Sequence, residues 1–418
     1  MIPQLLILGN GFDKHCGLNS EYIEFFNKAI LDTIGENFKL IQIKRDIADA
    51  GFWENLLVQY YKEKEVFDNK WCAVETIIKD TLWLICFGKK SNESLNINLG
   101  IGKTAFDSVK YRYPYNFNNP IENFLFNYCV KFFNSLTSQE RICPDDKLLQ
   151  LLIKHLLMEL HKFERRFCKY LKNNIEELKN TYTVNAVNLL AKLTGFSNRK
   201  FESNEDIVSQ ENQYISKITP NGMVHEWVEA GKLPKEFNNL KYTNILSFNY
   251  TNLFDILEVP YPCAYSNVHG KLCNKECANI CNSSSIIFGI DDSLIQLQNE
   301  NTNLRLFSKT YRKMLETSLP TSILPLNNGV PLDIIFYGHS LSKADYSYFQ
   351  SIFDYYNLYG NDKVSLIFYY SEGFEQTDEI YKLINSYGKT LSNRDQGKNL
   401  IHKLLLENRL KIKKLVEN

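Results

Sequence analysis

The apolar run Gln4–Leu8 stops abruptly at Gly9-Asn10-Gly11, the pattern of a strand buried on both faces that feeds a tight turn. Asn19-Ser20 then offers N-cap chemistry to an apolar-periodic segment, Tyr22, Phe25, Phe26, Ala29 and Ile30. The chain is therefore expected to open as strand, glycine turn and helix. From there to about Leu240 the period is helical. Leu149, Leu152, Leu156, Leu160, Phe163, Phe167 and Tyr170 recur at steps of three and four, one face of a long helix. Trp71, Val74, Ile77, Ile78 and Leu82 draw a similar stripe earlier. Between them, residues 92–119 mix Asn, Gly, Pro and Tyr without a period, which predicts an irregular loop.

Short β-rich runs return at 244–248, 267–269, 286–288, 333–337 and 364–370, each ending in a polar or glycine turn. Helical patterns follow at 346–356 and 377–384, and 400–415 closes the chain as a helix with room for a final short strand. Strands alternating with helices predict a parallel α/β sheet. The first strand needs that sheet to pair with. The simplest architecture puts residues 1–20 and 241–418 in one α/β unit and makes 21–240 a mostly helical insertion.

Composition agrees with this division. At 418 residues the chain exceeds the roughly 250–300 at which one core stops growing, so two units are expected. Hydrophobic residues at 44% and charged residues at 23% exclude a mostly disordered chain. Lys+Arg 48 against Asp+Glu 48 removes the basic footprint of a dedicated nucleic-acid binder. The apolar stretch 81–87 is too short to span a bilayer, and 148–160 is broken by Lys154 and His155, so no membrane partner is expected. Ten cysteines without a basic, extended apolar leader read as reduced thiols, and the expected compartment is the cytoplasm.

Candidate chemistry gathers where the β runs end. Gly9-x-Gly11, with Gly17 beyond, would let backbone amides approach a pyrophosphate at a helix N-terminus. The spacing is not G-x-G-x-x-G and no acidic residue closes a second strand, which disfavours a dehydrogenase; a plain tight turn is the alternative. Asp13 reads either as a turn-capping residue or as a ligand to a ribose hydroxyl, and His15 as a solvated loop residue. Asn249, in Ser247-Phe248-Asn249-Tyr250-Thr251-Asn252, and His269, in Val268-His269-Gly270, end two successive runs. An amide and an imidazole there can position a water or polarise a sugar hydroxyl, or serve as structural hydrogen-bonders. Gly338-His339-Ser340-Leu341 approaches a G-x-S-x-G nucleophile elbow, but Ser342 replaces the second glycine and His402 is the sole later histidine. Cys273, Cys277 and Cys281, with Cys263 and His269 nearby, have a spacing unlike the C-x-x-C knuckle. Free thiols are favoured there, and no metal is expected.

Taken together, Ile7-Leu8-Gly9-Asn10-Gly11-Phe12-Asp13, Gly17-Leu18 and Ser20-x-Tyr22 resemble the opening signature of AbiH-type phage abortive-infection proteins. Ser247 to Thr251, Val268-His269-Gly270, Phe288-Gly289-Ile290-Asp291 and Tyr337 to Leu341 followed by Asp345 fit the same family. That family is in turn distantly similar to sirtuin-like NAD-consuming domains. The resemblance implies a sirtuin-like Rossmann core in which Asn249 and His269 sit at the nicotinamide-proximal ribose. It also implies that Gly9, Asn10, Gly11, Asp13 and Gly17, with Gly338, His339 and Ser340, face the phosphates and adenosine half of NAD. The sirtuin C-x-x-C zinc pairs and the Pro-Asp-Phe-Arg run are absent, which argues against protein deacylation. The implied activity is hydrolysis of NAD or a related nucleotide at the N-glycosidic bond, with the helical block sensing a phage component or building a homo-oligomer. A non-catalytic nucleotide-binding switch and a hydrolase using Ser340 stand as alternatives.

Overall fold

The computed structural model describes residues 2–31, 51–63, 72–88, 100–112, 119–195, 240, 242–257, 263–272, 286–290, 303–315, 323–325, 329–342, 345–392 and 394–415. The chain divides into two compact units, Met1–Ser20 with Leu171–Glu276 and Ser318–Asn418, and Glu21–Tyr170 with Cys277–Thr317.

The first unit is built on six strands: β1 Gln4–Leu8, β2 Thr243–Ser247, β3 Tyr265–Asn267, β4 Leu332–Tyr337, β5 Val364–Tyr370 and β6 Leu410–Lys414. They form one parallel sheet in the order β3-β2-β1-β4-β5-β6. β1 lies inside it, with Leu6 opposite Ile245 on one side and Ile335 on the other. Both faces of β1 are covered, which is why Leu5–Leu8 is uniformly apolar rather than alternating. Leu6 and Leu8 pack with Tyr182, Ala186, Leu190 and Phe254. Leu5 and Ile7 pack with Phe349, Phe353 and Ile384, from the helices Tyr346–Tyr355 and Thr377–Gly388. β6 is an edge, and its Lys411, Lys413 and Lys414 give it the charge that discourages pairing with another chain.

The second unit is helical. It holds Phe52–Glu63, Cys72–Phe87, Ile101–Tyr111, Pro120–Ser135 and the first part of the 50-residue helix Asp145–Thr194. Phe25 stands edge-on to Phe167 at 5.1 Å, and Phe163 packs on Phe288 at 5.5 Å. Arg312 clamps the buried Glu164 carboxylate through two nitrogens at 2.6 and 2.8 Å while also donating to Phe288 O. Among the described residues no helix is long and apolar enough to cross a membrane.

Several expectations need correction. The long helix does not stay with residues 21–170: from Leu171 it belongs to the sheet unit, because Tyr182, Ala186, Val187, Leu190 and Leu193 join the core under β1. The insertion therefore differs from 21–240, and 277–317 groups with the helical unit. Among the described residues the run 286–288 joins none of the six sheet strands; nearby, Ile290 makes an isolated parallel bridge to Ser308. Within the expected loop at 92–119 lies the helix Ile101–Tyr111, whose Ile101, Ala105 and Phe106 are buried together. Asn19-Ser20 does not cap the next helix. A helix already begins at Asn10, and Ser20 Oγ donates to Asn10 Oδ1 at 2.5 Å. The closing segment is a helix, Arg394–Leu406, followed by β6. Trp71 and Asp291 lie outside the described residues, as do Cys273, Cys277 and Cys281.

Candidate functional site

In this strand order successive strands are added outward on opposite sides of the β1–β4 junction, and crevices beyond the carboxyl ends at such a switch point are where open α/β sheets take ligands. Here the two turns touch. Gly9 N donates to Tyr337 O at 3.0 Å and Gly11 N to Gly338 O at 2.8 Å. A Cβ on Gly9 would lie 2.3 Å from His339 Cα, and one on Gly11 2.6 Å from Gly338 Cα. Glycine is thus required at both positions by backbone packed against backbone. Gly17, at φ +88°, ends the helix Asn10–His15 in the left-handed conformation, with its N–H returning to Lys14 O.

Asp13, on that short helix, points into the sheet core and anchors the first cluster. Its carboxylate accepts from Tyr182 Oη at 2.8 Å and from Thr251 Oγ1 at 2.6 Å, and the Asn249 side chain also hydrogen-bonds to it. Burial pushes the carboxyl from its ordinary 3.8 up to about 6, outweighing the three hydrogen bonds that pull it down. The same burial, with the Asp13 charge beside them, raises the Cys16 thiol and the Tyr182 hydroxyl. Asn249 follows β2. Its loop is held by Asn267 Nδ2, which donates to Asn249 O at 2.8 Å and Thr251 O at 3.0 Å. Asn249 Oδ1 is buried without a hydrogen-bond partner among the described residues, and Asn249 lines a small pocket with Asp13, Phe12, Tyr182, Thr251 and Tyr265.

The second cluster joins the ends of β3 and β4. His269 Nε2 lies 2.9 Å from Asp345 Oδ1, and His339 Nε2 lies 3.4 Å from Asp345 Oδ2. All three residues are buried. Phe248 sets its ring edge-on to His339 at 4.4 Å and to His269 at 5.5 Å. Leu341, at φ 54°, strains the turn that carries His339, and its N–H donates to His339 Nδ1 at 2.9 Å.

The structure brings Gly9, Gly11, Asp13, Asn249, His269, Gly338 and His339 to the same edge of the sheet, at the ends of β1 to β4. Asn10 is turned to Ser20. Ser340 is exposed, and so is His402; no hydrogen bond joins Ser340 to a histidine among the described residues. His15 is not a solvated loop residue: it is half-buried at the end of its helix, with Nδ1 2.9 Å from Tyr337 Oη. Sequence reasoning gave no role to Tyr182, Asn267 or Asp345. Tyr182 had no signal, sitting in an ordinary helical stripe, whereas Asp345 was visible as an acidic residue just past the Gly338 turn.

A parallel sheet in this order, with buried polar groups clustered where the strand order switches, defines a Rossmann-like α/β protein. The family model described as bacteriophage abortive infection AbiH matches residues 5–370, and the chain belongs to that family. No curated protein and no solved structure matches it.

Proposed function

We propose that this AbiH chain acts in abortive infection by hydrolysing NAD, or a related nucleotide, at its N-glycosidic bond. One observation carries the reading: Asn249 and His269 end adjacent parallel strands, and Asn249 presents a buried amide oxygen without a partner among the described residues. A buried acceptor left unpaired is costly unless a ligand or water completes it.

Cleaving the C1′–nitrogen bond sends its electron pair to the nicotinamide ring, which leaves neutral, while positive charge develops on the ribose. Water then bonds to C1′ and gives up one proton. Such a reaction needs a held ribose, an ordered water and a base rather than a strong nucleophile. Asn249 Oδ1 would hold the water, and His269 would act on it or on a ribose hydroxyl. Gly9 and Gly11 pack against the Gly338–His339 backbone and already donate their N–H groups to Tyr337 O and Gly338 O, so these two amides would reach a phosphate only if the turns part. The alternative reading is a nucleotide-binding switch without turnover, which would need the same parting of the turns.

The test is cellular NAD after phage challenge, wild type against His269→Ala at matched expression. Depletion in the wild type alone supports hydrolysis. Stable NAD in a protected wild-type culture would end that reading and leave the switch or another nucleotide.

A further inference from the structure

We infer that Asp345 is a positioning residue that sets the tautomer of His269 and couples it to His339; the inference rests on the proposed role of His269 at the reacting ribose. Asp345 directly precedes the helix Tyr346–Tyr355, the N-cap position at which aspartate ordinarily accepts the amides of the first turn. It makes no such bond. Its carboxylate is turned away from its own helix to two imidazoles, at 2.9 and 3.4 Å. A capping role therefore does not account for it.

The hydrogen-bond pattern fixes the protons. His339 Nδ1 accepts the Leu341 N–H, so in the neutral ring Nε2 carries the hydrogen, and it faces Asp345 Oδ2. Asp345 Oδ1 then takes the Nε2–H of His269. With Nε2 protonated, Nδ1 is the basic nitrogen of His269. When that nitrogen accepts a proton, the imidazolium forms beside a carboxylate already in contact with the ring. An aspartate behind a histidine base acts in this way by holding one tautomer and stabilising the cation. The setting is apolar: Phe248 lies edge-on to both histidines, and Phe349 stands perpendicular to His339 at 5.0 Å. Water competes weakly there, so the pair interacts more strongly than an exposed one.

The experiment uses the full chain, wild type, Asp345→Asn and Asp345→Glu, with nitrogen-15-labelled histidine. The wild type should give a His269 signal for the Nε2–H tautomer, identified by its loss in His269→Gln. In Asp345→Asn that signal should move toward the other tautomer, and Asp345→Glu should largely restore it. Turnover of NAD, read as nicotinamide release, should fall on the order of 10²–10⁴-fold in kcat for Asp345→Asn, with KM within a few fold. A His269 tautomer unchanged in a folded Asp345→Asn protein overturns the assignment, whatever the activity. An Asp345-dependent tautomer in a protein that releases no nicotinamide supports the coupling and counts against the proposed reaction alone. If Asp345→Asn fails to fold, Asp345→Ser takes its place: a His269 tautomer moved away from Nε2–H supports the assignment, and an unchanged one in the folded protein overturns it.

Discussion

Replacing Asp13 by Asn should reshape how stability depends on pH. The carboxyl is held at about 6 in the folded protein against an ordinary 3.8, because burial penalises its charged form more than Tyr182, Thr251 and Asn249 relieve it. The folded state thus binds this proton more tightly than the unfolded state does. Stability from the protonated form is fully present below the unfolded value and is lost as pH rises, until the group is ionised in both states above about 6. With about 1.4 kcal/mol for each pH unit between the two values, the cost comes to about 2–3 kcal/mol between pH 4 and pH 7. The amide introduced by Asp13→Asn would not titrate. It changes one of two acceptors into a donor, which shifts stability by an amount independent of pH. Urea unfolding followed by tryptophan fluorescence, at half-unit steps from about pH 4 to 7, gives the difference between variant and wild type. That difference should grow in favour of the variant by about 2–3 kcal/mol across the range. Parallel curves would refute the reasoning and mean that the three hydrogen bonds balance the cost of burial; a difference growing the other way would mean that they exceed it.

Three further expectations follow from the geometry. His269→Ala and Asn249→Ala should each lower nicotinamide release on the order of 10²–10⁴-fold with the far-UV circular dichroism unchanged, and Ser340→Ala should cost under about tenfold, since its hydroxyl is exposed. Gly9→Ala puts a methyl 2.3 Å from backbone, so the turns must separate; thermal melting should show a loss of at least about 1–3 kcal/mol, against a near-neutral Ser340→Ala control. In the helical unit, Glu164→Gln leaves Arg312 buried beside a neutral amide and should cost about 3–5 kcal/mol, measured by chemical unfolding.

Much of the sheet was legible. The strands β1 and β5 match their apolar runs residue for residue, since strands buried on both faces need no alternation to be recognised. The ends of two such runs pointed to Asn249 and His269, and the fold sets those ends side by side. The helix Ile101–Tyr111 was hidden because only Ile101, Gly102, Ala105 and Phe106 of its residues are buried, two of them small, and the flanking Asn, Gly, Pro and Tyr break the period. The run 286–288 has strand composition, yet it groups with helices, where Phe288 fills an aromatic core. Tyr182 could not have been read from sequence. It meets Asp13 across 169 residues, and no local period marks a helical residue whose polar tip has a partner that far away.

The central place of β1 also sets a timetable for the chain's synthesis. Its two neighbours, β2 and β4, come from residues 243–247 and 332–337. At about 5–20 residues per second, roughly 15–65 seconds separate the emergence of the first strand from that of its second partner. Until β2 emerges the apolar β1 has no strand to pair with, and until β4 emerges one of its two edges stays open. An interrupted message, ending anywhere before residue 345, yields a product without Asp345 and therefore without the histidine pair around it. The contacts of Asp345 with His269 and His339 therefore form only after most of the chain has been made.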